Sequence, residues 1–297
     1  MRKRNRHSAS PPRPKIGPLL PIVLGVLVLA VAGLLVACGG SGESPQAHYE
    51  QGQAYEQAGR WEEAIAEYTR AIALDPHYAR AYVARAYAYA EKGEFERAFD
   101  DCNQALAADP KLVRAYIVRA IARAGRSDYE GAVADLDLAL AMAPASAEAY
   151  TYRGLYNERL GLVGQAFTDL GNAILSDPQY KMAYYSRATL YTRYGMYDQA
   201  LVDLDRAIAL DPRYAAAYVN RGVVHLRQGK HAAAIADMDQ AIAIDPNDAL
   251  AYANRGIAYA EDGQIDPAIA DLERALQLGV GEAERRVIED YLARLKP

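Results

Sequence analysis

The chain of 297 residues holds two cysteines, Cys38 and Cys102, one tryptophan and three phenylalanines. Two cysteines exclude a disulfide-stapled scaffold and any four-cysteine metal site. Its aromatic character therefore rests on 23 tyrosines, which bury a ring while keeping a hydroxyl for polar contact. Positive charge is scarce outside the start. Residues 1–37 carry six of the 33 Lys and Arg and no acid, so the remainder has 33 − 6 = 27 bases against 38 acids, a balance of −11. Such a body excludes the basic stripe by which proteins hold nucleic acid. There is no phosphate-binding glycine loop and no paired-histidine zinc helix. His225 and His231 stand where other segments have Tyr55, Tyr89 and Tyr259, or Trp61, Phe95 and Tyr197. They read as substitutes for aromatics rather than as ligands. No cofactor is expected. Only one long apolar run occurs, Ile22 to Ala37.

That run follows Arg2, Lys3, Arg4 and Arg6 and leads into Leu35-Val36-Ala37-Cys38, then Gly39-Gly40-Ser41-Gly42. It is short for a spanning helix, which needs roughly 20 residues, and long for a secretory core. The flank resembles the lipobox of bacterial lipoproteins: two apolar residues, a small one, and the cysteine to be lipidated. Residues 1–37 are thus expected to be a lipoprotein-type signal peptide, with an uncleaved signal anchor as the alternative. Positive charge before the apolar run retains the N-terminus in the cytoplasm in either case. The body is then extracytoplasmic, held near a membrane by the tether of residues 38–44. With Cys38 modified, Cys102 has no partner and reads as core packing.

The rest of the chain is a rhythm of 34. Pro76, Pro110, Pro144, Pro178, Pro212 and Pro246 stand at that interval, five of them after Asp75, Asp109, Asp177, Asp211 and Asp245. Three alanine columns run without exception through seven frames, beginning at Ala47, Ala64 and Ala71. Each frame holds two amphipathic stretches of about 14 residues separated by a turn, usually at glycine. The reading is an antiparallel helix pair, repeated. Larger side chains, as in the column Tyr82, Tyr116, Tyr150, Tyr184, Tyr218 and Tyr252, are expected between pairs. Stacked units of this length make an all-α solenoid with an extended surface, not a domain around a pocket. Residues 45–282 hold seven units. Residues 283–297 are expected to be a capping helix, with Val287, Ile288, Tyr291, Leu292 and Leu295 on its apolar face.

Arg85, Arg119, Arg153, Arg187, Arg221 and Arg255 form one column of the first helices, and Glu67, Asp101, Asp135, Asp169, Asp203, Asp237 and Asp271 one of the second. The first unit alone has Gln51 in the arginine column. Since only that unit has no acid before it, the count predicts that each arginine pairs backward, Arg119 with Asp101 and Arg221 with Asp203. A residue repeated in every unit reads as structural rather than catalytic. The second acids of the pairs Asp135/Asp137, Asp203/Asp205 and Asp237/Asp239 read as a solvated helix face.

Through Gly52, Tyr55, Gly59, Trp61, Ala64, Tyr68, Ala71 and Pro76, and matching residues in six further frames, the chain resembles the tetratricopeptide repeat (TPR) family. The match loosens in the third frame, where Ser127 replaces the turn glycine and Gly125 lies two residues earlier. The resemblance implies a solenoid whose first helices line a concave groove. The positions matching groove-lining ones are Arg80, Val83, Tyr87, Arg114, Ile117, Ile121, Thr151, Leu155, Tyr185, Thr189, Val219, Val223, Asn254 and Ile257, with Arg159, Arg193 and Arg227 near the helix ends. The lysine and asparagine pattern by which relatives clamp a terminal carboxylate is not present. The expected role is a non-catalytic adaptor or scaffold that holds a peptide or helix of another envelope protein. A self-associating scaffold and an accessory subunit of an envelope enzyme are the alternatives.

Overall fold

The computed structural model describes residues 44–296, fifteen helices among them. The predicted signal peptide and Cys38 lie outside the described residues. Seven helix pairs follow one another: α1 (Pro45–Gln57) with α2 (Trp61–Leu74), α3 (Ala79–Glu91) with α4 (Phe95–Ala108), and α5 (Val113–Gly125) with α6 (Tyr129–Met142). Then come α7 (Ala147–Arg159) with α8 (Val163–Ser176), α9 (Lys181–Arg193) with α10 (Tyr197–Leu210), α11 (Ala215–Arg227) with α12 (His231–Ile244), and α13 (Ala249–Glu261) with α14 (Ile265–Leu278). Helix α15 (Glu282–Leu295) closes the array. Successive first helices touch one another and successive second helices do not. The first helices therefore form the concave wall and the second helices fan out on the convex side.

Local chemistry sets each turn. The Asp before five of the prolines accepts, on its side chain, the backbone N–H two residues on, at 2.8–3.0 Å. This Asx turn stops the second helix and launches the next pair. Within pairs the turn residue is left-handed, as at Gly161 with φ 76°, and Ser127 holds the same conformation at φ 64°. Gly125 is not a displaced turn residue. It ends α5, where a Cβ would meet the Phe95 ring at 2.3 Å.

Close approach of the two helices in a pair needs the small residues that the columns show. At Gly222 a Cβ would lie 2.6 Å from Met238 and 3.2 Å from the Ala234 carbonyl. Ala64, Ala98, Ala132 and their successors are fully buried, as are Leu136, Leu170, Leu204, Met238 and Leu272 on the same helices. Cys102 occupies that column, is fully buried, and has its thiol pushed up by burial. The cap buries Ile288 and Leu292 against α13 and α14, with Tyr291 and Leu295 beside them. Val287, expected on that face, is exposed.

The charge ladder pairs the other way from the count. Each arginine grips the acid of its own unit through Nε and one Nη, at 2.6–3.0 Å: Arg85 with Asp101, Arg119 with Asp135, Arg153 with Asp169, Arg187 with Asp203, Arg221 with Asp237 and Arg255 with Asp271. Antiparallel packing within a pair sets residue i beside i + 16, whereas the acid of the preceding unit lies farther along its helix. The remaining Nη does reach backward, to Thr69, Asn103, Asp137, Asp205 and Asp239. The second acids are therefore rungs of the ladder and not merely a solvated face. In the first unit Glu67 is met instead by His48 at 2.6 Å and Arg70 at 2.5 Å, which explains Gln51. The tyrosine column lies half-buried beside this ladder, with the Arg153 guanidinium 5.4 Å from the Tyr150 ring centre.

Candidate functional site

Along the concave wall one column is half-buried in six of the seven first helices, and it carries Tyr87, Ile121, Leu155, Thr189, Val223 and Ile257. These residues present apolar surface at one-unit spacing. Other groove positions of the sequence reading sit deeper. Ile117, Thr151 and Val219 are 3%, 1% and 9% exposed, sealed between neighbouring first helices, and so give a partner no surface. Val83, at 5%, shows only an edge in the floor of a cleft. Asn254 turns its amide onto the Leu250 carbonyl, at 2.9 Å.

Two clefts open on this wall. One, of about 410 Å³, lies between α1, α3 and α5 and is bounded by Tyr49, Gln53, Glu56, Arg80, Tyr87, Leu112 and Arg114. Arg114 lies over the Tyr87 ring, 5.3 Å from its centre, and pairs with Glu148 of the next unit. Trp61 meets Tyr87 edge-on at 6.2 Å. Burial, then Glu91, pushes the Tyr87 hydroxyl up, and burial does the same at Tyr152 and Tyr180 around the Arg114–Glu148 pair. These phenols therefore remain neutral donors. The second cleft, of about 530 Å³, lies between α9 and α11 and is lined by Thr189, Thr192, Arg193, Tyr197, Asn220, Val223 and Arg227. Asn220 donates to Thr189 Oγ1 at 3.0 Å, and Tyr185 packs on Tyr214, ring centres 5.1 Å apart.

Arg159, Arg193 and Arg227 end α7, α9 and α11, where a cation complements the helix dipole. Arg193 is engaged by Glu158 of the preceding unit, which Arg159 also approaches at 3.9 Å. Arg227 stands at the rim with no ion pair among the described residues. Sequence reasoning missed Tyr49, Glu148, Tyr152, Tyr180 and Tyr214. The spacing gave no signal for Tyr152: its column holds Ala84, Val118, Ser186 and Asn220 in other units, and Val118 and Ser186 are buried.

Among the described residues no cluster of three or more His, Cys, Asp or Glu could hold a metal ion. His225 lies 3.8 Å from Asp237, and burial lowers its pKa below the usual histidine value. No described helix is long and apolar enough to cross a membrane.

Models of the tetratricopeptide repeat match residues 43–112, 117–181 and 185–249, and a second such model matches residues 222–293. Comparison with curated proteins finds no match. Solved structures share the fold. A tetratricopeptide repeat protein of Parabacteroides merdae is 21% identical, with TM-score 0.60, over 85% of this chain and 99% of its own. Human IFIT1, solved as a dimer with PPP-AAAA, is 16% identical, with TM-score 0.73, over 90% of this chain and 67% of its own. The APC/C hetero-tetramer Cut9–Hcn1 gives 16% and 0.63, over 91% and 59%. The matched segments cover most of the described array, its helix pairs keep the 34-residue frame throughout, and the chain belongs to the tetratricopeptide repeat family.

Proposed function

We propose that the array is a non-catalytic scaffold that binds a peptide segment or helix of another protein in its concave groove. The observation that carries this reading is the line Tyr87, Ile121, Leu155, Thr189, Val223 and Ile257, half-buried apolar surface at one-unit spacing flanked by two clefts. Tyrosine walls with neutral hydroxyls supply large contacts at small entropy cost, and the two clefts give side chains of a partner segment concave seats along the wall. A photo-crosslinking residue at Leu155 or Val223 should capture a protein partner in cells, while one at Arg206 or Gln240 on the convex side should not. Equal capture from both faces would overturn the assignment.

The array is held, in this reading, on the extracytoplasmic side of a membrane through Cys38. Leu35-Val36-Ala37-Cys38 and the basic start support it. The partner is then a protein of the cell envelope. Mass spectrometry of the mature chain should find Cys38 acylated at the N-terminus. A mature chain that retains Arg2 through Ala37 would sink this half of the proposal.

A further inference from the structure

The fourth unit departs from its siblings on the convex side, away from the groove. Helix α8 contains Gly164 and Gly171, and a Cβ at either would meet nothing within 4 Å. Glycine inside a helix costs stability relative to alanine, and nothing in the fold asks for it here. By contrast, the helical glycines at 52, 154, 222 and 256 are needed for packing within their own pairs. With Thr168 and Leu175, the two glycines make a straight stripe at spacing four, three, four. Leu175 is the most solvent-exposed large apolar residue described, at 80%.

The stripe is also uncharged. Every other second helix carries an acid on it: Glu62, Glu96, Glu130, Asp198, Asp239 and Asp266. At Gly171 the exception breaks the ladder, because Arg187 is the one column arginine whose third nitrogen finds no backward partner among the described residues. Beside α8 lies a cleft of about 370 Å³, lined by Asn157, Gly164, Gln165, Thr168 and Asn172 with the Arg153 pairs. Asn157 is 2% exposed; its Nδ2 donates to Asp169 at 2.9 Å, and its Oδ1 is a buried acceptor without a donor. Tyrosine, histidine or arginine fills that position in every other unit.

The stripe is complementary to itself. Reversed about its midpoint, Leu175 falls on Gly164 and Thr168 on Gly171, a knob facing a hole at each end. An isologous two-fold contact requires this self-matching. In a body of net −11 that repels its own copies, α8 is the second helix whose outer stripe carries no charge. We propose that α8 packs antiparallel against α8 of a second copy of this chain, making a two-fold dimer through the convex side with both grooves open. Gln165 and Asn172 line the cleft beside Asn157, and in the dimer the second copy's α8 would cover that cleft, where a side-chain amide is a donor of the kind that Asn157 Oδ1 lacks. A contact centred on one pair of 14-residue helices is smaller than the roughly 800 Å² per partner of a standard interface, so association belongs in the micromolar range.

The test is light scattering of the full chain in detergent, with detergent mass subtracted. Wild type should show two chains at about 100 μM and one on hundred-fold dilution. Leu175→Glu, at an exposed position, should be one chain throughout. Gly171→Asp should also be one chain, yet show slower amide exchange in α8 and α9 than wild type, because it gives Arg187 the rung that its siblings have; loss of folding therefore cannot explain its dissociation. Ala243→Glu, on the same stripe position of α12, should keep the dimer. A single-chain wild type at all concentrations, a dimer persisting in Leu175→Glu or Gly171→Asp, or dissociation by Ala243→Glu would each overturn the proposal. Groove capture from Leu155 should survive in Leu175→Glu, which separates this face from the concave one.

Discussion

The two acids that meet Arg153 offer a sharp test of how the ladder holds the array. Asp169 is 3% exposed and accepts from Arg153 Nε at 3.0 Å, Arg153 Nη2 at 2.6 Å and Asn157 Nδ2 at 2.9 Å. Asp137 accepts from the same guanidinium at 2.6 Å, but its side chain is 57% exposed. Distance does not separate them; burial does. Asp169→Ala strands a largely buried guanidinium and a buried amide, and removing one member of a buried pair costs about 3–5 kcal/mol. Asp137→Ala removes a solvated pair worth about 0–1 kcal/mol. A solenoid can open unit by unit, so a single unfolding midpoint is a poor readout. Native-state hydrogen exchange of α7 and α8 amides reports local opening instead. At about 1.4 kcal/mol per tenfold, Asp169→Ala should speed exchange there by about two to three and a half powers of ten, and Asp137→Ala by less than one. The double variant Arg153→Met/Asp169→Leu should recover much of the loss, because two apolar side chains leave no buried charge. Equal effects of the two single variants, or a larger effect from Asp137→Ala, would refute pairing within the unit as the stronger link.

Other consequences follow from single positions. Ser127 holds φ 64° where its siblings are glycine, so Ser127→Gly should stabilise the third unit by about 1 kcal/mol in the same exchange experiment. His225 has its folded pKa lowered by burial. The unfolded chain therefore binds the proton first, and this site subtracts stability as pH falls below the ordinary histidine value near 6.5. His225→Tyr, the residue of that column in other units, should flatten the pH dependence of local opening in α11 and α12, read by exchange and corrected for the intrinsic rate, between about pH 7 and 5. Ile288 is 1% exposed in the cap, and Ile288→Ala should cost about 2–5 kcal/mol, read as faster exchange confined to α13, α14 and α15.

Much of this architecture was written in the spacing. A 34-residue period with invariant small columns allows one arrangement, since only alanine or glycine at Ala64, Ala98 and Gly222 lets two axes approach so closely. The Asp-Pro steps named the turns between pairs, because an Asx turn needs only residues adjacent in sequence. Even the cap was legible as an apolar face with nothing left to cover it. What the spacing could not supply was which of two nearby acids a side chain meets. Arg119 has an acid sixteen residues ahead and another eighteen behind, and a column count treats both alike; the antiparallel pairing of α5 with α6 puts Asp135 beside it. The same limit applied to the groove. Val83, Ile117, Thr151 and Val219 share a concave helix with Tyr87, Ile121, Leu155 and Val223, and only the packing of each first helix on the next decides which of them is covered. Periodicity is a local property of the chain, whereas burial depends on neighbours brought together from 34 residues away.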